Sequence, residues 1–290
     1  MAISLSKVSF AYGTPKKKVT PKYVLKDVNI DIDGEDEFIT IVGHTGSGKS
    51  TLVQILNGLL LTSIGEVKVF GKKIGKNENT KLKDIRKRVG LVFQFPEYQL
   101  FEETIYKDIA FGPKNFGVKD EELEKVVKKS LELVGLDESY LEKSPFELSG
   151  GQKRRVAIAG ILALDPDVLI LDEPTAGLDP QGAIEMMELF KSLNRLGKTI
   201  IIITHEMDFV LKYCDRVVVM KKANIISSTT PVEFFYNEEL LKEVKIEEPL
   251  TITFAKKLLQ KGMKLNINKI KDVESLANEI CLAKGGVNNE

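Results

Sequence analysis

Phe38-Ile39-Thr40-Ile41-Val42-Gly43-His44-Thr45-Gly46-Ser47-Gly48-Lys49-Ser50-Thr51 decides the fold. The first five residues predict a buried strand. After the glycines, Leu52, Ile55, Leu56, Leu59 and Leu60 fall at helical spacing. A strand, a glycine loop ending in Lys-Ser, then a helix is the context in which GxxxxGK[ST] forms a phosphate cradle. Glycines permit positive φ, so successive N–H groups can converge on one anion. The helix beginning near Lys49 adds its positive dipole end. Lys49 is placed to reach β- and γ-phosphates, and Ser50 to offer its hydroxyl to Mg²⁺. The alternative, a glycine-rich turn that binds nothing, does not explain the flanking strand and helix.

With 290 residues, 43% of them hydrophobic and 29% charged, the chain has the composition of a globular protein with a sizeable core. Lys plus Arg and Asp plus Glu both total 42, so no general attraction to nucleic acid or anionic lipid is expected. The local basic clusters Lys16-Lys17-Lys18, Lys83 to Arg88 and Lys153-Arg154-Arg155 read as solvated faces. Cys214 and Cys281 form no CxxC pair and suggest a reducing compartment. No apolar run approaches the roughly 18 residues of a spanning helix. Met1 to Lys7 reads as an alternating strand and not as a signal peptide.

Period-two alternation over Ile3 to Tyr12 and Val24 to Ile32, with Val67 to Phe70, predicts an antiparallel sheet laid over the nucleotide site. Val89 to Phe93 is a continuous apolar strand ending at Gln94. An amphipathic helix is predicted over Glu121 to Val134 and another over Lys153 to Leu164. Buried parallel-type strands follow at Val168 to Leu171, Ile200 to Ile203 and Val217 to Met220, the first two separated by a crossover helix from Gly182 to Leu196. The sheet is thus interrupted by a helical insertion over about 96–152 and then completed. Residues 1–232 form the nucleotide-binding domain and 233–290 a helical extension, with 285–290 read as disordered.

Val168-Leu169-Ile170-Leu171-Asp172-Glu173 buries a strand and delivers two carboxylates to its carboxyl end, where α/β sheets bind ligands. Asp172 is placed to hold Mg²⁺ beside Ser50, and Glu173 to polarise an attacking water. Leu148-Ser149-Gly150-Gly151-Gln152 opens a helix and makes a second anion site within the insertion.

From about Ile3 to Ile226 the chain resembles the ATP-binding-cassette ATPases, with each motif in order. The resemblance implies their α/β fold: a P-loop (RecA-like) parallel-sheet core, an antiparallel β subdomain, a helical insertion and here a C-terminal helical extension. It implies that Tyr12 stacks on adenine, that Gln94 senses Mg²⁺ and couples to a transmembrane partner, that Ala176-Gly177-Leu178-Asp179 signals between subunits, and that His205 contacts the γ-phosphate. It further implies a head-to-tail dimer in which one chain's Gly43 to Thr51 and the other's Ser149 to Gln152 share each ATP.

Gln94-Phe95-Pro96-Glu97-Tyr98-Gln99-Leu100-Phe101-Glu102-Glu103-Thr104, His44, Leu56-Asn57-Gly58-Leu59 and Asp108-Ile109-Ala110-Phe111-Gly112-Pro113 resemble the ATPases of energy-coupling factor transporters, the second paralogue in particular. This implies a peripheral protein on the cytoplasmic face of the membrane that drives uptake of vitamins or transition-metal ions. The implied partners are a paralogous ATPase (or a second copy), a transmembrane coupling subunit received in a groove after Gln94, and exchangeable membrane capture subunits. In this family the extension contributes to ATPase pairing. The segment Gly13 to Lys22 departs from the pattern, being longer and more basic than the usual turn after the adenine-stacking aromatic. A conventional ABC importer subunit would share the core motifs without the Phe95 to Phe101 pattern. A soluble ATPase of DNA repair or translation would carry a long coiled coil or a second cassette, and neither is present.

Overall fold

The strand that begins the phosphate loop alternates its side chains between two cores, as do its neighbours. A computed structural model of the chain describes residues 1–13, 22–34, 36–76 and 78–285. Lys16–Lys18, with the rest of 14–21, and the tail from 286 to 290 lie outside the described residues. The described strands are β1 (Ile3–Phe10), β2 (Leu25–Ile32), β3 (Phe38–Val42), β4 (Ile64–Val69), β5 (Lys72–Ile74), β6 (Val89–Val92), β7 (Val168–Asp172), β8 (Thr199–Ile203), β9 (Arg216–Lys221) and β10 (Asn224–Thr229). One sheet has the order β10-β9-β3-β8-β7-β6, parallel except for the β9–β10 hairpin. The other, β2-β1-β4-β5, is antiparallel throughout.

Side chains at successive strand positions leave opposite faces. Ile39, Ile41, Val168, Ile170, Ile201 and Ile203 enter a core shared with the antiparallel sheet and with the helix α1 (Lys49–Leu56). Phe38, Leu169, Leu171, Ile200 and Ile202 enter the opposite core. A sheet buried on both faces is the expected partner of near-continuous apolar strands. After α2 (Leu82–Arg88), the helices α3 (Ile105–Asn115), α4 (Asp120–Leu133) and α5 (Gly150–Leu162) join this second core through Ile109, Val127 and Ile158. The crossover helix α6 (Pro180–Arg195) joins it through Met187 and Phe190.

Two elements differ from the sequence reading. The helix expected from Lys153 begins at Gly150, because Ser149 and Gln152 form a reciprocal capping box: the Gln152 amide donates to Ser149 Oγ at 3.3 Å and the Ser149 amide to Gln152 Oε1 at 3.1 Å. Two such bonds satisfy orphan amides and outweigh the poor helix propensity of two glycines. Beyond α7 (Met207–Tyr213), the expected boundary at 232 falls inside α8 (Pro231–Tyr236). Phe234 and Phe235 of α8 are fully buried with Val42, Val217 and Val219, directly behind the strand of the phosphate loop. The helices α9 (Glu238–Val244), α10 (Leu250–Gln260) and α11 (Val273–Ala283) follow; Ala255, Ile270 and Leu276 form a small core of their own.

Truncating a fully buried phenylalanine costs about 3–5 kcal/mol through lost transfer energy and the cavity left behind. Phe235→Ala should therefore lower the unfolding free energy of the whole nucleotide-binding core by about that amount in a urea titration. A change below about 1 kcal/mol would show that α8 is peripheral to that core.

Candidate active site

Gly43 leaves β3 with φ 148°, and a β-carbon there would collide with the Met220 carbonyl of β9. Gly48 has φ 107°, and a β-carbon would sit 2.6 Å from the Val24 carbonyl oxygen. Only glycine fits such crowded left-handed positions. Gly48 is also the N-cap of α1 and supplies no side-chain cap, so the first amides of the helix stay free for a ligand. Lys49 is buried, and its Nζ donates to the carbonyls of Gly43 at 2.6 Å and His44 at 3.2 Å. Burial pushes the Lys49 ammonium below its ordinary range, against the pull of Glu173 and Asp172. The Ser47 hydroxyl is buried with no hydrogen-bond partner among the described residues. A desolvated cation, an unpartnered hydroxyl and free helix amides fit a phosphate group. His44, Thr45, Gly46 and Ser50 line the open side of the loop, and Thr51 is buried in α1.

Asp172 ends β7. Burial raises its carboxyl above the usual range and Glu173 adds to the rise, while the Ser50 hydroxyl and Lys49 pull the other way. A carboxylate short of water beside a serine hydroxyl fits a hard cation such as Mg²⁺. Glu173 turns the chain with φ 49° and its amide donates to the Ile203 carbonyl at 2.9 Å. A non-glycine residue in this region costs roughly 1–2 kcal/mol, which the surrounding packing must offset. Both oxygens of Glu173 are held: Gln94 Nε2 donates to Oε2 at 2.8 Å, and His205 Nε2 lies 3.2 Å from Oε1. Gln94 and His205 follow β6 and β8, the two neighbours of β7.

Tyr12 presents an exposed ring at the loop, braced edge-on by Phe10 at 5.1 Å, with its hydroxyl 3.1 Å from Thr51 Oγ1. Ser149, Gly150, Gly151 and Gln152 lie elsewhere, at the start of α5, with Gln152 Nε2 donating to Tyr140. Among the described residues no hydrogen bond joins them to Gly43–Thr51. Asp179 caps α6, accepting from the Gly182 amide at 2.6 Å.

The ABC transporter family profile matches residues 25–176. The chain is 53% identical over 266 residues to the energy-coupling factor transporter ATP-binding protein EcfA2 of Enterococcus faecalis, covering 90% of each. It is 50% identical to the protein of that name from Ligilactobacillus salivarius over the full length of both. The chain belongs to the ABC transporter ATPases, in the energy-coupling factor branch. Among solved structures it is similar to cbiO1 from Clostridium perfringens, part of the ABC transporter complex cbiONQ, with TM-score 0.73 and 38% identity, covering 88% of this chain and 98% of that one. The cassette MJ0796, solved as a dimer in a post-hydrolysis state bound to ADP and Pi, matches with TM-score 0.68 and 31% identity over 79% of this chain and 98% of that one.

Sequence reasoning for this ABC cassette missed Arg154. The run Lys153-Arg154-Arg155 reads as a solvated face, yet Arg154 is 2% exposed. Its spacing held the signal: Arg154, Ile158 and Leu162 share one apolar face of α5. Thr175 and Glu206, hydrogen-bonded to each other beside Glu173 and His205, were also unforeseen.

Because the folded-state carboxyl of Asp172 titrates above the unfolded value of about 3.9, the native state binds more protons between the two values and stability falls as pH rises through them. Asp172→Asn should stabilise the ligand-free protein at neutral pH, with the gain disappearing below about pH 3.9. Thermal melts across pH check this; a variant less stable at pH 7 would contradict the desolvation of Asp172.

Proposed function

We propose that the chain is the ATP-binding and ATP-hydrolysing subunit of an energy-coupling factor transporter, driving uptake of vitamins or transition-metal ions. The observation that carries the reading is the grouping of Gln94, Asp172, Glu173 and His205 at adjacent strand ends beside Lys49 and Ser50. In this reading Lys49 and the loop amides grip the β- and γ-phosphates, and Tyr12 offers its ring to adenine. Ser50 and Asp172 would hold Mg²⁺, and Gln94 would sense it. Bound Mg²⁺ supplies charge neutralisation on the phosphates. Glu173, released from its contacts with Gln94 and His205, takes a proton from the attacking water, and His205 turns to the γ-phosphate.

The second half of each composite site comes from Ser149–Gln152 of a partner ATPase, a paralogue or another copy, and Asp179 carries the signal between them. Exposed Leu250, Val273 and Leu282 on the C-terminal helices support a role for 233–285 in that pairing. A cleft of about 540 Å³ lined by Leu59, Leu91, Phe93, Phe116, Ile161 and Leu164, flanked by Lys83 and Arg86, suits an amphipathic helix of a transmembrane coupling subunit. Tyr98 and Phe101, on the segment after Gln94, are exposed as well. No helix of the described residues is long and apolar enough to cross a membrane. In this reading membrane association runs through the coupling subunit, with exchangeable capture subunits beyond it.

Glu173→Gln should leave ATP affinity unchanged while slowing turnover at its own composite site by about 10²–10⁴-fold, the usual scale of general-base catalysis. Phosphate release by the purified complex, set beside fluorescent-nucleotide titration, tests it. Normal turnover at that site would remove Glu173 as the base.

A further inference from the structure

Arg154 is a charged side chain only 3% exposed, on the second turn of α5, and every one of its hydrogen bonds goes to a loop of the candidate active site. Nε and Nη2 fork onto the Glu97 carboxylate at 3.0 and 2.7 Å. Nη1 donates to the carbonyls of Pro174 at 3.0 Å and Ala176 at 2.8 Å. Glu97 sits in the tight turn Pro96–Gln99, three residues after Gln94; Pro174 follows Glu173 directly. The ring of Phe95, whose φ is 55°, lies 5.7 Å from the guanidinium. Burial alone would raise the Glu97 carboxyl, but the Arg154 guanidinium together with a backbone hydrogen bond more than reverses this and holds it below its usual range.

We infer that Arg154 is a positioning residue that locks Gln94 and Glu173 in register with the helix that begins at Ser149. The assignment rests on the ATPase reading above. A buried ion pair rarely adds net stability, because desolvating both charges offsets their attraction. Four bonds from one planar fork to two separate loops do fix geometry. Gln94 and Glu173 touch each other at 2.8 Å, and Arg154 holds the Glu97 side chain three residues after Gln94 and the Pro174 carbonyl directly after Glu173. When Ser149–Gln152 engages a partner's nucleotide, movement of α5 therefore reaches both groups through one side chain. Loss of Arg154 leaves the phosphate loop intact and lets the two catalytic groups drift.

The test uses Arg154→Met, Glu97→Gln and the double variant, in the complex purified from membranes with its partners. Hydrogen exchange should rise in 94–99 and 173–178 of Arg154→Met and stay unchanged in 43–51. For the same variant kcat should fall about 10- to 100-fold, the effect of roughly 1 Å of misplacement, while KM and fluorescent-nucleotide affinity stay within about twofold. The double variant should match Arg154→Met, because the two residues act as a unit. An unchanged kcat, a KM rising in proportion to the loss, or exchange rising throughout the chain would overturn the assignment. If Arg154→Met fails to fold, Glu97→Gln is read by the same measures, and unchanged kcat and exchange there overturn it. A wild-type complex without ATPase activity would sink the functional reading instead, and the exchange pattern would still decide on Arg154.

Discussion

Lys49 and Asp172 are both held away from water at the carboxyl edge of an apolar sheet, and the character of the site follows from that. Burial depresses the ammonium and raises the carboxyl, so each group is poorer in the charged form than it would be outside. No ion pair joins them among the described residues; Lys49 spends its donors on the carbonyls of its own loop. A polyphosphate carrying a divalent cation relieves both at once, giving the lysine an anion and the aspartate a cation. Either ligand alone leaves one desolvated charge uncompensated. In the proposed reading the site would thus be matched to a metal–nucleotide pair and less well to its parts.

Strand order explains why the remaining groups meet there. β8 lies between β3 and β7, so the residues after it, Thr204 and His205, come between the phosphate loop and the two carboxylates. β6 flanks β7 on its other side and brings Gln94 to the far face of Glu173. Parallel pairing places all four carboxyl ends on one edge, which is where ligands bind in open α/β sheets. The two cores on either face hold the strands with fully buried branched residues, and such interiors deform little. Rigidity behind the site lets a few hydrogen bonds in front of it decide the geometry.

What could be read in the chain was whatever local chemistry dictates. The glycine loop, the continuous apolar strands and the terminal Asp172-Glu173 announce themselves because backbone sterics and burial on both faces permit few other residues. The left-handed backbone at Glu173 and Phe95 was not legible, since neither residue favours it and only tertiary packing imposes it. Arg154 was hidden by its neighbours: among three consecutive basic residues, charge alone does not say which one turns inward. Phe234 and Phe235 read as part of a separate extension, because nothing local says that a helix after β10 packs back on Val42.

The start of α5 shows how one helix can serve two sites. Its capping box spends the Ser149 and Gln152 side chains on each other, leaving the amides of Gly150 and Gly151 without side-chain partners. Around both glycines there is open space where β-carbons would be. An anion from outside the chain can therefore approach these amides along the helix dipole without displacing anything. One turn further on, Arg154 anchors the same helix to the loops that carry Gln94 and Glu173. In the proposed dimer, a nucleotide bound at the open end would act on a helix whose other end is tied, through Arg154, to Glu97 and to the carbonyls of Pro174 and Ala176 that follow Glu173, so binding at one composite site could govern turnover at the other.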